Sequence, residues 1–319
     1  MQRLLQALLI SMLISIQALG QTDPLPSWNE GPVKQSIIQF VTAVTTPGND
    51  FVPPADRIAT FDNDGTLWAE KPLIQGLFAI FRVHRMVAQN PALKNQQPYK
   101  AVIEKDKEYF EKAGLKEVIH LVNLTHAGMT ATAFAAEVQL FFNTVKHPTL
   151  KTSLYQAIYK PQVELLNYLR TNGFKTFICS GGTVDFMRVV SDTLYGIPPE
   201  QVIGTELKYR YIDSAGVNDI MRLPGLTTFN DKQEKPVNIQ YHIGKRPILA
   251  CGNEGGAGDV YMLRFSQGNP YKSLQLIVNH DDAAREFEYS EKDNKSLNMA
   301  KQYNWQVISM KNDWKTIFP

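Results

Sequence analysis

Ile58-Ala59-Thr60-Phe61-Asp62-Asn63-Asp64-Gly65-Thr66 is the stretch on which the reading of the whole chain turns. The apolar run from Ile58 to Phe61 has the length and composition of a buried strand. It runs straight into Asp62 and Asp64. Residues two apart on an extended chain point the same way, so both carboxylates leave the strand together at its carboxyl end. In an open α/β sheet that end is where ligands bind. Gly65 then permits a sharp turn. Unpaired buried charge is costly, so two carboxylates at the mouth of a buried strand call for a cation between them.

The 319 residues suffice for one large domain or two ordinary ones. The chain is 44% hydrophobic and 20% charged, the balance of a globular protein. Its net charge of +2 implies no polyanionic partner such as nucleic acid. Residues 1–20 have a positive start at Arg3, an apolar stretch from Leu4 to Leu19, and small residues at Ala18 and Gly20. That is the pattern of a cleaved secretory signal peptide. The apolar run is shorter than the roughly 20 residues a spanning helix needs. The expectation is an exported protein, periplasmic or secreted, with no membrane attachment after cleavage.

After the signal, helical spacing covers Val33 to Thr45, and the first strand follows. The next ninety residues read differently. Helices are predicted over Leu77 to Ala88, Lys100 to Lys112 and Thr132 to Thr144, with frequent aromatics and no convincing strand. Thr125-His126-Ala127-Gly128-Met129 reads as a loop between them. The α/β alternation then resumes. Helix Pro161 to Asn172 leads to strand Phe174 to Cys179, a tight turn at Ser180-Gly181-Gly182-Thr183, and helix Val184 to Leu194. A strand begins at Val202, and Lys208 to Pro224 reads as a hairpin. Helix Pro236 to Ile243, strand Pro247 to Cys251, a Gly-rich acidic loop, a helix from Val260, and strand Leu274 to Val278 complete the pattern. A helix around Ser296 to Tyr303 and strand Val307 to Met310 close the chain. Alternating strands and helices give an α/β fold, a doubly wound, mostly parallel Rossmann-like sheet, with an all-helical insert after the first strand.

Four strand-associated loops therefore converge on one edge. The first carries Asp62 and Asp64. The second offers the Ser180 hydroxyl and the backbone N–H groups at Gly181 before a helix start, an anion site by geometry. The third is Lys235 at the head of a helix. The fourth, Gly252 to Asp259, contains Asn253, Glu254 and Asp259 as oxygen donors.

This order of Asp-x-Asp-Gly-Thr, then Ser, then Lys, then a Gly-rich acidic loop resembles the haloacid dehalogenase superfamily in its phosphatase branch. Phe61-Asp62-Asn63-Asp64-Gly65-Thr66-Leu67-Trp68 and Asn279-His280-Asp281-Asp282 further resemble its exported, phosphoserine-phosphatase-like bacterial group. The resemblance implies a core of residues 21–67 and 159–319, with 68–158 as a helical cap. It implies a Mg²⁺-dependent hydrolase of small-molecule phosphomonoesters. Asp62 would be the nucleophile that forms an aspartyl-phosphate. Asp64 would act as general acid and base. Ser180, Gly181 and Lys235 would hold the phosphoryl group. Asp62, the Asp64 carbonyl and Asp259 would bind Mg²⁺, an ion that takes oxygen ligands. A carboxylate at Asp64 favours phosphate-ester chemistry over carbon–halogen cleavage.

The fourth motif departs from the family, which usually has an acid directly after its glycine. Here Asn253 stands there and Glu254 comes one later, which leaves the ligand from this loop open among Asn253, Glu254 and Asp259. Trp68 and Glu70, where the cap begins, are candidates for contacts to the leaving group. His126 is a weaker candidate in the cap. His280 reads as a hydrogen-bonding residue near the site rather than a metal ligand. Cys179 and Cys251 precede two of the loops. The family's strand order places them on either side of the first strand, about 9.5 Å apart, too far for a disulfide. Two further functions fit the same residues: a phosphotransferase using the same intermediate, and a non-catalytic phosphate-binding protein.

Overall fold

The computed structural model describes residues 23–214, 216–255 and 258–319. The expected signal peptide lies outside them. Seven strands form one sheet: β1 (Ile58–Phe61), β2 (Lys175–Thr183), β3 (Val202–Ser214), β4 (Val217–Thr228), β5 (Leu249–Asn253), β6 (Leu274–Asn279) and β7 (Gln306–Ser309). Their spatial order is β4-β3-β2-β1-β5-β6-β7. Every pairing is parallel except β3 with β4. The chain runs outward from β1 through β2 to β4, then returns to the other side of β1 at β5. The switch point of this doubly wound sheet is thus the pair β1/β5, where such sheets bind ligands.

All four residues of β1 are buried. Alternate residues on the strands feed two separate apolar clusters. Ile178, Cys251, Leu276 and Val278 belong to one, and Cys179, Ala250 and Ile277 to the other. Successive side chains of a strand face opposite ways, so the sheet is covered on both faces. That is why its strands read as unbroken apolar runs. Cys179 and Cys251 sit on β2 and β5, which flank β1, and both are free and buried.

The helices are α1 (Pro32–Thr45), α2 (Ile74–Gln89), α3 (Tyr99–Glu104), α4 (Lys107–Ala113), α5 (Leu115–His126), α6 (Ala131–Thr144), α7 (Lys160–Thr171), α8 (Val184–Tyr195), α9 (Glu234–His242), α10 (Asp259–Gln267), α11 (Lys295–Tyr303) and α12 (Met310–Asp313). Helices α2 to α6 lie between β1 and β2 in the chain, and the described residues of this insert carry no strand. The helix expected over 100–112 is two helices. Lys105 adopts a left-handed conformation at φ 58°, and Asp106 caps the next helix through the Tyr109 amide. Helix α5 was not anticipated, and it extends through His126, the residue expected in a loop. Only Thr125 and His126 are buried along it, although Leu115, Val118, Ile119 and Val122 recur at helical spacing. Ser180-Gly181-Gly182-Thr183 is not a tight turn either. It continues β2 in extended form past an irregularity in the pairing with β3.

The hairpin β3/β4 is longer than its expected span and reaches the helical insert. Gly128 N–H donates to the Arg222 carbonyl (2.8 Å), and Arg222 N–H donates to the Met129 carbonyl (3.0 Å). The Arg222 side chain is fully buried. Its Nε donates to the His126 carbonyl (2.7 Å), its guanidinium lies 3.8 Å from the Phe134 ring centre, and it pairs with Asp185 at the start of α8. One side chain thus ties hairpin, insert and sheet core together. Removing one partner of a buried ion pair leaves uncompensated charge and typically costs about 3–5 kcal/mol. Arg222→Met is expected to lower the urea unfolding midpoint by a corresponding amount. An unchanged midpoint would show that this junction contributes nothing to stability.

Candidate active site

Asp62 follows directly on β1, and its N–H donates to the Cys251 carbonyl on β5 (2.9 Å). The chain then winds tightly because one carbonyl gathers three amides. Thr66, Leu67 and Trp68 N–H all donate to the Asn63 carbonyl at 2.8–3.2 Å. Gly65 closes the turn with φ +73°. A Cβ there would lie 2.2 Å from Asn253 Nδ2, so the position excludes side chains on two counts. The turn presents Asp64 back toward Asp62.

Lys235, in the first turn of α9, is 2% exposed. Its Nζ donates to Asp62 Oδ1 (2.7 Å) and to Asp259 Oδ1 (2.5 Å). Asp259 opens α10, and its Oδ2 accepts from Asn253 N–H (2.9 Å). Gly252 makes this approach possible, since a Cβ there would meet Asp259 at 2.5 Å. Three residues far apart in sequence thus share two hydrogen bonds at the switch point. Ser180 ends the straight part of β2 and is buried. Asn230 holds it by donating to its carbonyl (2.9 Å), and Thr205 Oγ1 donates to the Gly181 carbonyl (2.7 Å).

The charges here do not balance. Asp62 and Asp259 are buried around one ammonium, with Asp64 beside them. Burial, then repulsion from Asp259, pushes the Asp62 carboxyl well above its ordinary value, while Lys235 opposes that rise. Burial pushes Asp64 from 3.8 up to about 6, against the hydrogen bond it accepts from Trp68 Nε1 (2.8 Å). Burial alone would lower the Lys235 pKa, but Asp259 and Asp62 more than offset this and hold it charged. The cluster is short of positive charge. The Asn253 side-chain oxygen faces Asp259 Oδ2 and the Asp64 carbonyl, each at 3.2 Å; turning the amide over would place its N–H₂ there instead. Oxygen donors around a negative cluster fit a hard divalent cation such as Mg²⁺. Among the described residues, no three His, Cys, Asp or Glu side chains form a metal cluster by themselves. The fit therefore relies on the Asp64 carbonyl and the Asn253 amide beside Asp62 and Asp259.

Two candidates are displaced. Glu254 is fully buried and faces away from the cluster, where its Oε1 accepts from Glu291 N–H (2.5 Å). Trp68 is also fully buried, packed among Phe142, Phe186 and Tyr195, and so cannot meet a leaving group. It holds Asp64 instead. Glu70 does line the cavity over Asp62, and so does His126. His280 Nε2 lies 2.8 Å from the Gly65 carbonyl, and Nδ1 lies 3.3 Å from Glu286, so it braces the turn.

Gln75, in the first turn of α2, had no sequence signal. Its Oε1 accepts from Thr183 N–H and Thr183 Oγ1, both at 2.8 Å. Its Nε2 is a buried donor without a protein partner, and a Cβ on Gly182 would lie 2.1 Å from it. The insert therefore lends the site a free donor beside the glycines of β2.

A doubly wound, Rossmann-like sheet with carboxylates and a lysine at its switch point places this cluster where such folds bind their ligands. Residues 59–253, more than half of the chain, match the model of the haloacid dehalogenase-like hydrolases, and the chain belongs to that family. None of the curated proteins matches it in sequence. Among solved structures, a conserved protein of unknown function from Anaerococcus prevotii is similar with a TM-score of 0.57 at 14% identity, over 89% of this chain and 94% of that one. A protein of unknown function from Bordetella pertussis gives 0.51 at 17% identity, over 79% and 98%. A phosphoserine phosphohydrolase-like protein from Francisella tularensis gives 0.44 at 19%, over 79% and 94%.

The Asp64 environment sets a pH dependence. The folded protein keeps this proton to about pH 6, while the unfolded chain loses it near 3.8. The folded state binds the extra proton between those values, so this group's contribution to stability falls as pH rises through that window. Its size is on the order of 1–3 kcal/mol. In chelator-treated protein, Asp64→Asn is expected to be more stable than wild type at pH 7.5, with the gain shrinking toward pH 4. Equal stabilities at pH 7.5 would mean that the carboxylate is not strained by burial.

Proposed function

We propose that this protein hydrolyses phosphate monoesters through an aspartyl-phosphate on Asp62. One observation carries the reading: Lys235 Nζ joins Asp62 and Asp259 at the floor of a cavity whose wall includes Asp64 and Ser180. Phosphoryl transfer needs positioning and charge neutralisation more than covalent assistance, and this cluster supplies both.

In the first step a carboxylate oxygen of Asp62 attacks phosphorus, and the bond from phosphorus to the ester oxygen breaks. Lys235 favours the ionised form of Asp62 against the rise that burial and Asp259 impose, and it meets the charge on the phosphoryl oxygens. Asp64, whose proton is held to about pH 6, protonates the departing oxygen. Trp68 fixes Asp64 through Oδ1. In the second step Asp64, now ionised, takes a proton from water. The water oxygen attacks phosphorus, releases phosphate and restores Asp62. The Ser180 hydroxyl, the Gly181 N–H and the free Gln75 amide are the donors for the phosphoryl oxygens. Mg²⁺, held by Asp62, Asp259, the Asp64 carbonyl and Asn253, would supply the missing positive charge and polarise the phosphoryl group. The N-terminal segment extends the proposal to an exported enzyme.

Asp62→Asn is expected to remove turnover of an aryl phosphate by at least about a thousandfold while leaving the unfolding midpoint near wild type. Asp64→Asn should cost about 10²–10⁴-fold, the usual worth of a general acid–base. Chelation should abolish activity and added Mg²⁺ restore it. Turnover that survives Asp62→Asn would reject the covalent route.

A further inference from the structure

The cavity above Asp62 holds about 500 Å³, within the range of pockets that enclose a whole small molecule. Its floor is polar but its walls are not. Helix α5 turns Leu115, Val118, Ile119 and Val122 toward it, and Leu226 and Phe229 close the other side from the hairpin and the segment after it. This explains how α5 can be amphipathic while burying almost none of its apolar residues. Leu115 is 57% exposed and Val118 45%, and Leu73 and Phe229 are also exposed at the same rim. An apolar face left open over the catalytic floor is surface kept for a ligand.

Charge narrows the class. Among the described residues lining the cavity, Lys235 is the sole cation, and two carboxylates already occupy it. Glu70 and Asp231 add negative charge around the wall. His126 offers a buried Nε2 with no protein partner, and burial holds its pKa down to about 3, so it stays a neutral hydrogen-bonding group. A carboxylate on the leaving group would find no positive partner and would meet Glu70 and Asp231 instead.

We infer that the substrate's alcohol portion is apolar, a ring or alkyl chain without an acid group. The inference takes the phosphoryl group to sit at Asp62, as proposed above. Val118, Leu226 and Phe229 are the specificity-determining residues. The phosphoryl group contacts Ser180 and Lys235 while the alcohol portion lies along α5.

Two measurements separate this inference from the phosphatase reading. The first compares kcat/KM, with Mg²⁺ present, for hexyl phosphate, glycerol phosphate and O-phosphoserine. The second compares Kd by calorimetry for hexylphosphonate and a phosphonate carrying an amino-acid carboxylate, neither of which can be hydrolysed at phosphorus. Hexyl phosphate is expected to lead the other esters by at least tenfold, and hexylphosphonate to bind at least tenfold tighter than its carboxylated counterpart. Val118→Arg, at an exposed position, should cut the hexyl preference by tenfold or more and raise the carboxylated one. Phe229→Ser should weaken only the hexyl compounds. Selective hexylphosphonate binding without turnover would sustain the cavity inference and sink the phosphatase. Turnover with phosphoserine equal to or better than hexyl phosphate would overturn the inference and leave the phosphatase standing.

Discussion

The ammonium of Lys235 between Asp62 and Asp259 is the interaction on which the rest of the site depends. Each carboxylate alone at that depth would have to surrender its charge, since desolvation favours the neutral form. Each is tied to a different part of the fold, Asp62 to β1, Asp259 to α10 and Lys235 to α9. The three can meet only if β1 and β5 are neighbours and the helices before and after β5 begin at the same edge. The sheet order supplies that condition. A buried, undercompensated cluster is a poor choice for stability but a good one for chemistry, because carboxylates kept short of positive charge are poised to take up a cation.

How much of this was legible in the chain depends on burial. The parallel strands are apolar on both faces and bounded by glycines and acids, so β1, β2, β5 and β6 stand out by composition. Asp62, Ser180, Lys235 and Asp259 stood out because each follows or flanks such a strand. Helix α5 was legible in the spacing of Leu115, Val118, Ile119 and Val122, but its apolar face turns to a cavity and not to the core. Gln75 and Arg222 gave no signal. Each is an ordinary polar residue whose meaning comes from a partner more than thirty residues away: Thr183 for one, His126 and Asp185 for the other. Trp68 was misjudged for a related reason. Position near the motif suggested substrate contact, while its size and its single N–H suit it to a buried pocket with one acceptor, Asp64.

The helical insert and the hairpin form one wall through direct contact. The backbone exchange between Gly128, Met129 and Arg222 makes the hairpin an extension of the insert rather than a free loop. The side chain of Gln75 then joins the insert to β2 beside the glycines of the anion site. Any movement of α2 relative to the sheet would have to break the two bonds to Thr183 and would carry away a donor from the phosphoryl position. On the proposed mechanism, substrate enclosure and phosphoryl binding would therefore be mechanically linked.

The substitution of Asn253 for the family's usual acid follows from the same charge balance. The position lies against the Asp64 carbonyl and Asp259, and the next residue, Glu254, is turned away toward Glu291. An acid at 253 would have added a further negative charge to a cluster whose Asp62 is already pushed up by burial and by Asp259. An amide keeps an oxygen available for a cation without adding that charge. The Asn253 side chain also lies beside Glu70, a wall carboxylate at the edge of the cavity floor. On the inference drawn above, Glu70 in that place would repel an acidic leaving group, which ties the amide at 253 and an apolar alcohol portion to a single electrostatic arrangement.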